Sequence, residues 1–144
     1  MIDKTQLKHF YLLTFPPLIL LSLLLILVDS NIINLALFVF GYVFGLVSRT
    51  PGVDHVIGQK KYRFSFLRLC YGLTNFMIFK MHAHHKPKLN LIVRCLLPTV
   101  VIGGIMFLFQ VGLNIHYTLI GALICELTIL VLRRYIPKDI LAFG

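Results

Sequence analysis

The side chains best suited to chemistry are imidazoles and carboxylates in the middle of this 144-residue chain. His82 and His85 lie three residues apart, and Asp54 and His55 precede them. Such groups are ordinary ligands of zinc, for which three protein ligands leave one position to water. These four residues are the candidate metal ligands. We favour a basic surface facing lipid headgroups, because His84 points away from the helix face of the other two and no paired cysteine supports a metal.

A second candidate is Glu126, the acidic residue that lies well inside an apolar run. Burying a carboxylate in a membrane is costly, so such a residue is expected to have a partner or a function. Arg94 lies at a similar depth in the preceding run, about 8–9 Å at ~1.5 Å per helical residue. We favour an ion pair between Arg94 and Glu126. The alternatives are that Glu126 handles protons or ions, or that it contacts a partner protein.

The elements that would hold these residues are four apolar runs, 12–28, 32–47, 89–109 and 113–132, in a chain that is 58% hydrophobic. A bilayer core takes ~20 helical residues to cross. The sequence therefore predicts an all-α, polytopic membrane protein with four transmembrane helices in two antiparallel hairpins. We expect one membrane domain over 1–144, with hairpins at 10–48 and 89–134 joined by a cytoplasmic loop and interfacial helix at 49–88.

The charges predict the orientation. The chain carries +9, with basic residues before the first run, throughout 49–88 and after the last run, whereas the short connections 29–31 and 110–114 contain no Lys or Arg. By the positive-inside rule, both termini and the central segment are cytoplasmic. The expected location is a membrane, of the bacterial inner-membrane type. No nucleic-acid motif accompanies the charge, so no nucleic-acid partner is expected.

The segment 62–79 is apolar but contains Arg63 and Arg68. Its polar residues recur at helical spacing opposite an apolar stripe that includes Leu73 and Phe76, which predicts an amphipathic helix in the cytoplasmic interface. A re-entrant or tilted buried helix is the alternative.

Four glycines are expected where helices pack or bend. Gly41 and Gly45 are four residues apart, a spacing that allows another backbone to approach closely. We favour a contact within the chain over a contact between copies. Gly103 and Gly104 follow Pro98 in the third run, where a kink is expected.

One stretch resembles a known family. FGYVFG at 40–45 leads to PGVDH at 51–55, followed by a basic linker and the histidines. This is similar to small bacterial inner-membrane proteins described as metal-dependent hydrolases, which carry Pro-Asp-apolar-Asp-His after a membrane helix and later His-Arg-Gly-x-Thr-His-Ser. The resemblance implies Asp54, His55 and His82 or His85 as metal ligands. Gly52 stands at the family's first aspartate, and the second motif lacks Arg-Gly and Thr-His-Ser, which implies a relative that keeps the fold without the activity.

The function we expect is a non-enzymatic integral membrane subunit. It would pack with copies of itself or with other membrane proteins, its basic face toward anionic lipid headgroups or an acidic partner, without a cofactor. The alternative is a metal-dependent, hydrolase-like membrane protein with a transition metal such as zinc. A second alternative is a small pore or transporter component with a polar path through Gln110, Asn114 and Glu126.

Overall fold

A computed structural model describes residues 4–49 and 66–136, and this part of the chain is all-α. One 3₁₀ turn, Ala83–His85, precedes the fourth of its helices. The helices are α1 Lys4–Val28, α2 Ile32–Ser48, α3 Phe66–Lys80, α4 Pro87–Phe109 and α5 His116–Leu132.

The break between α1 and α2 is a capped turn. Asn31 has an extended backbone, and its side-chain oxygen accepts a hydrogen bond from the Ile33 N–H at 3.0 Å, which satisfies one of the unpaired N–H groups at the start of α2. Asp29 accepts from the Asn31 N–H at 3.0 Å. The polar residues that interrupt the apolar pattern therefore end one helix and start the next.

Proline and left-handed backbone mark the ends of α4. Pro87 occupies its first turn, where its missing N–H removes no helical hydrogen bond. Gln110 follows the helix with a left-handed backbone at φ 52°. The helix continues through Pro98.

Helix length supports two of the four predicted membrane crossings. Residues 8–28 of α1 and the whole of α4, of 21 and 23 residues, are long and apolar enough to cross a bilayer by length and composition. Helices α2 and α5 are apolar but have 17 residues each, about 25 Å at 1.5 Å per residue. Length and composition thus support two of the four predicted transmembrane helices and do not by themselves support the two shorter ones.

Helix α2 is central and packs against each of the other four helices. Its most extensive contact is with α5. It also contacts α1, where Tyr42 Oη donates to the Thr14 carbonyl at 2.7 Å. The core residues shared by these helices are Phe10, Leu18, Phe38, Tyr42, Leu46, Cys125 and Ile129.

Candidate functional site

Helices α2 and α5 run parallel and meet at three glycines. A Cβ added to Gly41 would lie 2.1 Å from the Thr118 carbonyl oxygen, and one added to Gly121 would lie 2.1 Å from the Phe38 carbonyl oxygen. A Cβ on Gly45 would lie 3.2 Å from Cys125 Sγ. The two backbones are therefore in contact, as small residues allow between helices.

The predicted packing glycines fall into two groups. Gly41 and Gly45 lie at the contact of α2 with α5, within the chain. Gly103 and Gly104 of α4 have no atoms within 4 Å of an added Cβ, so they do not provide a close approach there. Gly121 was not singled out from the sequence, although Gly121-Ala122 forms a small-residue patch in α5.

Beyond the glycines, at the Ser48 end of α2, lies a buried polar network around Arg94. The Arg94 side chain is only 1% exposed. Its Nη1 donates to the carbonyl and the hydroxyl oxygen of Ser48, both at 3.1 Å, its Nη2 to Asn75 Oδ1 at 3.3 Å and its Nε to Asn90 Oδ1 at 2.7 Å. Asn75 Nδ2 also donates to the Ser48 carbonyl at 3.2 Å. Arg94 of α4 thus binds the C-terminal end of α2, where exposed carbonyls favour a cation, and joins it to α3.

The partner of Glu126 is Arg49, the residue that follows α2. Arg49 Nη2 donates to Glu126 Oε2 at 2.5 Å and Arg49 Nε to Glu126 Oε1 at 3.2 Å. The side chains are 13% and 4% exposed. Two parallel hydrogen bonds fix both groups, the geometry in which a guanidinium best matches a carboxylate.

Arg94, predicted from its depth to be the partner of Glu126, does not hold that position, which Arg49 occupies. Depth within the hairpin of α4 and α5 does not decide the partner of Glu126, because α2 lies against α5 along its length. The end of α2 therefore brings Arg49 to the carboxylate, and Ser48, Asn75 and Asn90 surround Arg94 instead. The sequence gives one indication of this, because Arg49 directly follows a 17-residue apolar helix.

A second polar cluster lies at the opposite end of α2, where both short connections meet. Asp29 Oδ2 accepts from Tyr117 Oη at 2.6 Å and from Asn34 Nδ2 at 2.7 Å, and Asn34 Oδ1 accepts from Asn114 Nδ2 at 3.1 Å. Hydrogen bonds from the Tyr117 hydroxyl, from the Asn31 N–H and from Asn34 hold the pKa of Asp29 below its ordinary 3.8. The cluster ties the turn between α1 and α2 to the start of α5.

Two of the candidate metal ligands, Asp54 and His55, lie outside the described residues. His82 has a left-handed backbone at φ 51°, directly before the 3₁₀ turn, and His85 ends that turn. Both histidines are exposed. Within residues 4–49 and 66–136, no three His, Cys, Asp or Glu side chains come together as a metal site would require.

The described polar network is suited to holding helices together. The guanidinium, carboxylate and amide groups around Ser48 bind one another, and the Asp29 carboxylate is bound by neutral donors. Buried polar groups that are paired in this way join helices.

No family model matches this chain, and no curated protein or solved structure is significantly similar to it.

Proposed function

We propose that the chain is a non-enzymatic integral membrane subunit, in which all four helices α1, α2, α4 and α5 cross the bilayer as two hairpins and pack with copies of the chain or with other membrane proteins. In this arrangement α3 lies in the interface on the basic side of the bundle.

The observation that carries the proposal is the distribution of charged and apolar side chains. Arg94 and Glu126 are 1% and 6% exposed, while Leu27, Val28 and Phe107 are 82%, 86% and 83% exposed. Water would favour the reverse arrangement, since ionised groups are seldom buried and large apolar patches are seldom exposed in soluble monomers. A hydrocarbon solvent favours the observed arrangement of buried charges and exposed apolar side chains, because charged side chains in a membrane face the bundle interior and pair there.

The short helices are compatible with crossing. Helix α2 packs against all the other helices, and α5 packs against α1, α2 and α4, so both occupy the same layer as the two longer helices. A span of 17 residues is at the lower end of the range for transmembrane helices, and local thinning of the bilayer accommodates such a length at modest cost.

A structural role is supported by what the polar groups do. The network around Arg94 and the pair of Arg49 with Glu126 lie where α2, α3, α4 and α5 meet. Exposed leucine, isoleucine and phenylalanine side chains remain on the outer faces of α1, α4 and α5 for contact with lipid or with another membrane protein.

The test is the mass and composition of the particle extracted in polymer nanodiscs, with its metal content measured in the same fraction. We expect a particle that contains several copies of the 16.5 kDa chain or stoichiometric partner proteins, without stoichiometric metal. A particle holding one chain alone would contradict the subunit role.

The same sample tests the metal-dependent alternative. Asp54→Ala is the informative variant, and Asp29→Ala, at an aspartate hydrogen-bonded to Tyr117, is its matched control. Stoichiometric zinc or iron that is lost in Asp54→Ala but kept in Asp29→Ala would replace our proposal with a metalloenzyme.

A further inference from the structure

Helix α3 turns an apolar stripe away from the bundle. On the side of α3 that faces the bundle, Thr74 and Ile78 are completely buried. On the other side, Leu73, Phe76 and Phe79 are 37%, 58% and 64% exposed. The exposed residues are separated by three positions each, so they share one side of the helix. A helix on the surface of a soluble domain would place polar residues on that side.

Lysines follow this apolar stripe, at the end of α3 and at the start of α4. Lys80, four residues after Phe76, ends α3 on its exposed side, and Lys86 and Lys88 flank the start of α4. All three lysines are exposed. The sequence contains no Asp or Glu between Asp54 and Glu126, so this surface has no acidic residue of its own segment to balance its charge.

We propose that this surface, formed by Leu73, Phe76, Phe79, Lys80, Lys86 and Lys88 and called here the α3 corner, binds anionic phospholipid headgroups. The inference rests on the proposed membrane location and adds the partner of its basic side. The aromatic side chains enter the interface between headgroups and acyl chains, and the lysines bind the phosphates above them.

Lipid is favoured over an acidic protein for two reasons. The exposed apolar side chains of α3 are followed by exposed lysines at its end and at the start of α4, which matches the boundary between acyl chains and headgroups. In addition, α4 begins at this corner and is long and apolar enough to enter the bilayer there. Lys86 and Lys88 are thereby placed at headgroup level, where lysines near helix ends extend toward the interface.

The absence of tryptophan from the chain permits a direct experiment. Phe76→Trp introduces a single reporter at a position that is 58% exposed, where the larger ring needs no room in the core. The protein is reconstituted with phosphatidylcholine and phosphatidylglycerol, one of which carries brominated acyl chains that quench tryptophan on contact. The ratio of quenching by the two brominated lipids measures which lipid is enriched beside residue 76.

Phe107→Trp is the matched control, because residue 107 is 83% exposed near the other end of α4, far from these lysines. We expect brominated phosphatidylglycerol to be enriched at Phe76→Trp and not at Phe107→Trp. A lysine near an anionic membrane surface contributes an attraction that corresponds to about a fivefold preference. Combining Lys80→Gln, Lys86→Gln and Lys88→Gln should therefore reduce the enrichment at Phe76→Trp by at least about fivefold, and salt should also reduce it.

Each other outcome overturns a defined part of the account. Equal quenching by both lipids at Phe76→Trp would refute anionic recognition and leave the membrane location intact. Quenching at Phe107→Trp alone would mean that lipid does not reach the α3 corner, and it would refute lipid binding there. Quenching at neither position would contradict the proposed membrane location itself.

Discussion

The closest helix contact in the bundle makes a quantitative prediction about Gly41→Ala. The added Cβ would lie 2.1 Å from the Thr118 carbonyl oxygen and 3.1 Å from the Ala122 nitrogen, whereas ordinary contacts begin at 3.4 Å. Both neighbours are backbone atoms, which cannot rotate away as a side chain can. Relief therefore requires α2 and α5 to separate by about 1 Å.

The expected cost follows from two opposing effects. Overpacking of a close contact costs about 1–3 kcal/mol, and a clash with rigid backbone belongs at the upper end of that range. Alanine in place of glycine in a helix interior returns up to ~1 kcal/mol. The net loss for Gly41→Ala is then about 2 kcal/mol. The control Gly103→Ala meets nothing within 4 Å, so it should be neutral or stabilising by up to ~1 kcal/mol.

Buried thiols provide the assay. Cys125 is completely buried beside Gly45, and Cys95 is 5% exposed. In a Cys70→Ser background, their reaction with a thiol-specific dye during titration with a denaturing detergent reports unfolding of the bundle. The free energies of unfolding of Gly41→Ala and Gly103→Ala should differ by about 2–3 kcal/mol. Equal stability of the two variants would refute the close contact.

Three further predictions concern individual polar groups. Removing one member of a buried ion pair leaves the other charge uncompensated, so Arg49→Met and Glu126→Met should each lower the free energy of unfolding by about 3 kcal/mol. In a double-mutant cycle, the variant with both substitutions should lose much less than the sum of the two single losses. Additive losses would contradict the pairing. Since its pKa is lowered in the native state, Asp29 contributes stability that is present above pH 3.8 and is lost as the pH falls through the lowered value. Tyr117→Phe removes the hydrogen bond that lowers the pKa of Asp29 the most, so the difference in stability between wild type and Tyr117→Phe should shrink below pH 3.8. A difference that does not change with pH would refute this contribution of Asp29. The hydroxyl of Thr118 is buried and has no hydrogen-bond partner among the residues that the structure describes. Thr118→Val should therefore be neutral or stabilising by about 1 kcal/mol in thermal unfolding, and a clear loss of stability would contradict this.

Local features of the fold could be anticipated from the sequence because each depends on neighbouring residues. The polar turn at Asp29 and Asn31 interrupts an apolar run, and the structure ends α1 and starts α2 there. The helix expected over 62–79 is described from Phe66 to Lys80. Apolar periodicity and capping chemistry suffice for such assignments.

Tertiary relations could not be derived in the same way. Arg49 and Arg94 both lie near the ends of apolar runs, and only the packing of α2 against α5 decides which of them reaches Glu126. Similarly, Gly41 and Gly103 look alike in sequence, but one lies against a backbone and the other has open space around it. Which helix faces which neighbour is set by the whole bundle and not by spacing within one helix.

The most direct test of the central claim is the sidedness of the two ends of the bundle. Ser30→Cys, in the turn between α1 and α2, and Lys86→Cys, at the α3 corner, are both at exposed positions. In a Cys70→Ser background, sealed right-side-out vesicles are treated with a membrane-impermeant maleimide before and after permeabilisation. A bundle that crosses the membrane with its basic side inward predicts labelling of Ser30→Cys in sealed vesicles and of Lys86→Cys only after permeabilisation. Labelling of both positions in sealed vesicles would place the two ends on one side and contradict the account.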